Sequence, residues 1–346
     1  MKVKILSGLV AATLSLGMSA AQAAPFYFDV GNDRGTLDGD SVTADINELG
    51  FTGTLATSIY IPAAGALPTD AGTQVIDTNR ASVMNAYGFS AGAKTNIIGG
   101  VADTGNLTPV GTFAYPVSPG QVNIDSLNAS GGSADTEGFV SGIGIPPYGT
   151  DLSLLGVGYG GTAWGLTYDY SIGGVLTPTG VNFNTGDFAL YYEDGTGPLQ
   201  VLRINITASA ISGVSLLLTG FVSFDFDNNG TDDTGGNTFI QNLFNDSASG
   251  QSFYDIWLAD PTANSITFRL DTDVDPPIPT NSQLWCAGSG AGVSLAACQA
   301  ASDTYMWQTA LDGSATFATV PEPSVLALLG LGLLGIGLGR RANRKA

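Results

Sequence analysis

Histidine is missing altogether, cysteine occurs twice, and 11 lysines and arginines stand against 30 aspartates and glutamates. Without imidazole there is no Ser-His-Asp or Cys-His catalysis and no histidine-ligated zinc. Two thiols are too few for a thiolate zinc site or an iron–sulfur cluster. The scarcity of positive charge leaves a formal net charge of −19, so no nucleic-acid partner and no attraction to anionic lipid are expected. Charged residues make up only 12% of the chain and hydrophobic ones 44%, which is too apolar for a disordered polyelectrolyte. Glycine is what abounds, 48 of 346 residues and about twice the usual share, without collagen's repeat. The composition is that of a turn-rich globular chain.

Long apolar runs are confined to the two ends. Lys2 and Lys4 precede an apolar stretch from Ile5 to Met18, closed by Ala21-Gln22-Ala23. A charged start, an apolar middle and a small-x-small site in that order read as a signal peptide over 1–23, cleaved after Ala23 by the Sec-type export machinery. At the other end, Val325 to Leu338 carries no charge and is followed by Arg340, Arg341, Arg344 and Lys345. At about 1.5 Å per residue this run reaches about 21 Å, short of a roughly 30 Å hydrocarbon core. Arginine and lysine side chains can snorkel to the interface, so a short transmembrane helix over about 325–338 is expected. Its basic flank places the C-terminal end in the cytoplasm and the body outside.

Pro321-Glu322-Pro323, the Leu/Gly-rich helix and the terminal basic cluster together resemble the PEP-CTERM sorting signal of Gram-negative bacteria, over residues 320–346. The resemblance implies recognition by exosortase, a membrane-embedded processing enzyme. It also implies a setting rich in exopolysaccharide, transient anchoring in the inner membrane, and release to the cell surface or extracellular matrix. Pro321, Glu322, Pro323, Arg340 and Arg341 are the residues that carry it.

Between the signals, residues 24–319 form an acidic body with five basic groups: Arg34, Arg80, Lys94, Arg203 and Arg269. Its periodicity is strand-like. Leu202, Ile204 and Ile206 alternate with Arg203, Asn205 and Thr207, and Trp164, Leu166, Tyr168 and Tyr170 alternate likewise. Leu216, Leu218, Val222, Phe224 and Phe226 repeat the pattern, as do Ile266, Phe268 and Leu270. Period-two runs between Gly, Asn, Asp and Pro clusters predict a mainly β fold, an antiparallel β-sandwich or jelly roll in one large or two smaller domains. Short helical turns are expected near Asn79–Tyr87 and Phe239–Phe244. The stretch from Asn85 to Gly161, rich in glycine, is the least legible.

Cys286 and Cys298 flank a Gly/Ala/Ser loop, and an exported chain with an even cysteine count most simply joins them. Closing a loop of about 13 residues stabilises by roughly 3 kcal/mol on the chain-entropy account. In the segment Asp225 to Asp233, oxygen-bearing side chains at Asp225, Asp227, Asn229 and Asp233, a carbonyl at Thr231 and a glycine at Gly230 follow the first nine places of a calcium loop. Gly236 stands where such a loop ends in a bidentate glutamate, so Ca²⁺ is a candidate ligand with an incomplete set; an acidic hairpin turn is the simpler reading. Asp271, Asp273 and Asp275 are further candidate ligands, or a solvated strand edge. Trp164, Trp257, Trp285 and Trp307 are candidates for a sugar-stacking platform, or core.

No catalytic set is legible. A non-enzymatic surface or matrix protein is therefore expected, and the resemblance to the sorting signal implies a role in adhesion, flocculation or biofilm architecture around exopolysaccharide. The alternatives are a secreted carbohydrate-active enzyme working through carboxylates, which needs no histidine, and a calcium-dependent carbohydrate-binding module.

Overall fold

The computed structural model describes residues 24–29, 45–88, 120–123, 165–193, 197–212, 215–273, 278–279, 284–286 and 304–320. The expected signal helix over 1–23 and the transmembrane segment over 325–338 lie outside these residues. Among the described residues, no helix is long and apolar enough to cross a membrane.

The strands are β1 (Phe26–Phe28), β2 (Leu49–Ile61), β3 (Gln74–Thr78), β4 (Gly120–Asn123), β5 (Gly165–Thr177) and β6 (Gly180–Glu193). They continue with β7 (Leu199–Ser212), β8 (Ser215–Ser223), β9 (Phe244–Asp246), β10 (Ile266–Asp273), β11 (Trp285–Cys286) and β12 (Tyr305–Thr319). Among the described residues, three short helices interrupt them: α1 (Ala81–Ala86), α2 (Thr238–Asn242) and α3 (Phe253–Ala259). The alternation seen in the sequence is the alternation of burial. Leu166, Tyr168, Tyr170, Leu202, Ile204, Ile206, Leu216, Leu218, Val222, Ile266, Phe268 and Leu270 are all buried.

All pairings are antiparallel. A 10-stranded sheet holds every strand except β1 and β9, which pair with each other. The sandwich or jelly roll expected from the sequence is corrected here to one continuous sheet that closes on itself. β12 pairs with β10 from Ile266↔Thr319 to Thr272↔Gly313, and along its other edge with β2 from Tyr305↔Tyr60 to Ala315↔Leu49. Following the ladders through β2, β3, β5, β6, β7, β8, β10 and β12 returns to β2, with β4 joining β2 to β5 beside β3. At 15 residues, β12 is long enough to satisfy both edges. Closure removes the unpaired backbone that two open sheets would expose.

Aromatic side chains fill the interior. Tyr170 stacks on Phe188 with centroids 4.8 Å apart, and Phe51 meets Tyr168 edge-on at 5.0 Å. The barrel is therefore a packed core rather than a channel. The end at which β12 finishes is plugged by α2, α3, β1 and β9, where Phe26 meets Phe317 at 5.2 Å and Phe244 stacks on Phe253 at 5.8 Å. Asn237 caps α2 through Phe239 N–H and Ile240 N–H, and Ser252 caps α3 through Asp255 N–H. On the outer wall, Met84 of α1 covers Ile59 and Met306.

Candidate functional site

Strand direction defines two ends. At one, β8 runs out into the acidic loop, β12 finishes at Thr319 and β2 begins at Leu49. At the other lie the β5–β6 and β7–β8 turns, the end of β2 and the start of β12. Each end carries a cluster of polar side chains.

The loop after β8 folds around its own carboxylates. Asp225 accepts from Asn229 N–H at 3.0 Å and Gly230 N–H at 2.8 Å. Asp227 accepts from Asn229 N–H at 3.0 Å, and Asp233 from Phe226 N–H at 2.6 Å and Asp227 N–H at 3.0 Å. Asn228 at φ 61° and Gly230 at φ 89° adopt the left-handed backbone that lets these amides converge. One oxygen from each of Asp225, Asp227 and Asp233 lies within 4.8 Å of the other two. The structure thus brings three of the five sequence-selected residues together. Asn229 Oδ1 instead accepts from Thr231 N–H at 2.9 Å and from the Thr231 hydroxyl.

Two anchors tie this loop down, and neither was singled out in the sequence. Asp232 accepts from Tyr254 Oη–H at 2.7 Å and Thr234 N–H at 2.8 Å, docking the loop on α3. Burial alone would raise the Asp232 pKa, but the Tyr254 and Thr234 donors bring it below the ordinary value. Arg203 donates to the Phe226 carbonyl and also reaches Asp187 at 3.2 Å. Asp187 in turn forks with Arg80 at 2.6 and 3.2 Å, and Arg80 Nε reaches Asp169 at 2.7 Å. Tyr191 Oη–H donates to Asp169; burial and this carboxylate push the Tyr191 phenol up to about 12. The loop is braced by a four-residue ion network on the outer wall. In the sheet, Asp271 and Asp273 stand away from the loop. They pair toward Leu217 and Ser215, at the far end of β8 from Asp225, and Asp275 lies outside the described residues.

The opposite end holds a carboxylate that points inward. Asp77 on β3 pairs with Ser58 on β2 and Ile172 on β5, so its side chain shares the inner face. It accepts from Tyr170 Oη–H at 2.6 Å and Ser58 Oγ–H at 2.9 Å. Burial raises its pKa, against the opposing pull of Tyr170, Ser58 and Thr78 N–H. A cavity of about 30 Å³ opens beside it, lined by Ser58, Tyr60, Asp77 and Trp307 together with apolar side chains. A polar residue at an inward position of a period-two strand was the available sequence signal. Of the candidate platform tryptophans, Trp257 and Trp307 are core, 7% and 4% exposed, and Trp164 lies outside the described residues.

Cys286 on β11 pairs in the ladder with Tyr305, and Cys298 lies outside the described residues, among which no disulfide is seen. At the plugged end, Ala24 N–H donates to Phe317 O at 3.0 Å and Val320 N–H to Ser265 O at 2.8 Å. The chain on either side of the barrel therefore leaves from one place. Residues 319–345 match the family model of the PEP-CTERM protein-sorting motif. The PEP-CTERM signal begins at the last residue of β12 and points to an exported chain sorted by an exosortase. Its Pro321, Glu322, Pro323, Arg340 and Arg341 lie outside the described residues. No curated protein and no solved structure matches the chain.

Proposed function

We propose that the chain is a non-enzymatic surface or matrix protein. It is exported by the Sec-type machinery, held in the inner membrane through residues 325–338, and then processed by an exosortase. The barrel is released to the cell surface or matrix, where it associates with exopolysaccharide. The PEP-CTERM signal at the end of β12 carries this reading. Residues 24 and 320 lie at the same end of the barrel, which supports it, because a signal peptide and a membrane segment can then occupy one bilayer with the barrel on one side. Cell fractionation with an antibody to the barrel tests it. The protein should be found outside the cytoplasm without residues 1–23; a soluble cytoplasmic protein with Met1 intact would overturn it.

A calcium-dependent module is the second reading, favoured by the converging carboxylates of Asp225, Asp227 and Asp233. Ca²⁺ takes six to eight oxygens, so Asn229, the Thr231 carbonyl and water would complete the set. A carbohydrate-active enzyme would need two carboxylates free to act. Asp169 and Asp187, paired with Arg80 and Arg203, do not supply them. Glycan turnover abolished by one Asp→Asn change, with the fold intact, would replace the non-enzymatic reading.

A further inference from the structure

Asn229-Gly230 is the only Asn-Gly pair in the chain, and both residues are exposed on the loop after β8. The pair carries its own chemistry. The Gly230 nitrogen and the Asn229 side-chain carbon Cγ are separated only by the Asn229 carbonyl carbon, Cα and Cβ, so a bond between them closes an unstrained ring. Glycine has no Cβ to crowd the nitrogen or to restrict the turn that closure needs. In a freely moving chain such a pair converts spontaneously. Gly230 N gives up its proton and bonds to Cγ, while the Cγ–Nδ2 bond breaks and Nδ2 leaves with that proton as ammonia. Water then opens the imide at one carbonyl or the other, leaving an aspartate or an isoaspartate. No enzyme, metal or oxidant is needed.

In the folded loop every atom of that step is engaged. The nucleophile, Gly230 N–H, donates to Asp225 at 2.8 Å. The leaving group, Asn229 Nδ2–H, donates to Asp227 at 2.9 Å. Asn229 Oδ1 is held by Thr231 N–H at 2.9 Å and by the Thr231 hydroxyl, a side-chain-to-backbone turn that fixes where Cγ points. Asn229 N–H is fixed as well, by Asp225 and Asp227 at 3.0 Å each.

Thr231 alone would favour attack, because two donors on Oδ1 polarise the carbonyl. The carboxylates decide the other way. Deprotonation leaves a negative nitrogen against Asp225, and attack drives negative charge onto Oδ1 beside three carboxylates that lie within 4.8 Å of one another. Ring closure also abolishes both N–H donors outright. Conversion therefore waits for the loop to open. Asp232 on Tyr254 and Arg203 on the Phe226 carbonyl keep it closed.

We propose that Asn229 is a self-modifying site guarded by the folded loop, so that loop opening sets the rate of conversion. The change is one-way. It adds a fourth carboxylate to the cluster of Asp225, Asp227 and Asp233. The isoaspartate form also lengthens the backbone by a methylene, so a converted loop cannot re-form the same bonds.

Peptide mapping of the exported protein tests this, with incubation at neutral pH in chelator so that no cation steadies the loop. Aspartate and isoaspartate at position 229 are followed over time in native protein and in guanidinium. The native parent should convert about tenfold or more slowly than the denatured chain, the factor that one hydrogen bond to a charged group is worth. Asp225→Ala removes both the acceptor and the charge, and should recover most of that factor in a barrel that still melts cooperatively. A denatured chain that leaves Asn229 intact, or a native parent that converts as fast as the denatured chain, would overturn the proposal. So would a folded Asp225→Ala protein no faster than the parent. The comparison of native with denatured parent needs no variant and decides the matter even if Asp225→Ala does not fold.

Discussion

At the residue scale, Asp77 is a carboxylate whose chemistry departs from the ordinary. Its pKa is raised in the folded barrel by burial, while in the unfolded chain it returns to the usual carboxylate value. The folded state then holds a proton more tightly than the unfolded state. The stability Asp77 contributes is full below the unfolded pKa and is lost as pH rises through the folded one. Asp77→Asn should therefore raise the melting temperature relative to the parent at pH 7 and change it little near pH 3. Thermal melts of both proteins across that range give the answer, and equal curves at every pH would show the carboxyl to be unperturbed. Gly186 is set by geometry instead. At φ +104° on β6 it faces β5, and a Cβ there would lie 2.1 Å from Ser171 O. The ladder shifts register just beyond it, between Gly173 and Gly174. Gly186→Ala should cost about 2–4 kcal/mol in denaturant unfolding, since both the backbone strain and the close contact must be relieved.

Among the elements, the acidic loop is the part most open to a direct test. Three carboxylates gathered within 4.8 Å repel one another, and a divalent cation would relieve this. Lacking a terminal bidentate ligand, the loop should bind weakly, on the order of the 10⁻⁴–10⁻³ M of extracellular modules. Millimolar calcium should then raise the melting temperature by a small, saturable amount, and magnesium by less. Asp227→Asn should abolish the increment; if it melts like the parent at every calcium concentration, the loop is an acidic turn. This loop was legible in the sequence because its bonds are local, between residues two to seven apart. The strands β5, β7, β8 and β10 were legible for the same reason, through a period of two. Closure was not. The β12 sequence Tyr-Met-Trp-Gln-Thr-Ala-Leu-Asp-Gly is weakly patterned, and its pairing with β2 joins residues at opposite ends of the body. Asp77 was missed likewise, since its partners stand 19 and 93 residues away.

For the whole molecule, the closed sheet sets an axis: the chain leaves at the plugged end, and the cavity beside Asp77 and Trp307 lies toward the other. Between them β12 spans 15 residues, about 50 Å at the usual strand rise. Export should also join Cys286 to Cys298, beside the start of β12. Mass measured with and without reductant should differ by about two hydrogens, and free-thiol labelling of both residues in exported protein would refute the bond. In the proposed pathway an exosortase reads the C-terminal signal and removes it. The direct measurement is the intact mass of the barrel recovered from outside cells carrying the parent, and from cells in which Pro321, Glu322 and Pro323 are all replaced by alanine. The parent should lack residues 1–23 and the hydrophobic segment after the PEP tripeptide, and the triple variant should retain that segment and stay with the membrane. An exported parent that still ends at Ala346, or a triple variant released and trimmed like the parent, would contradict the account.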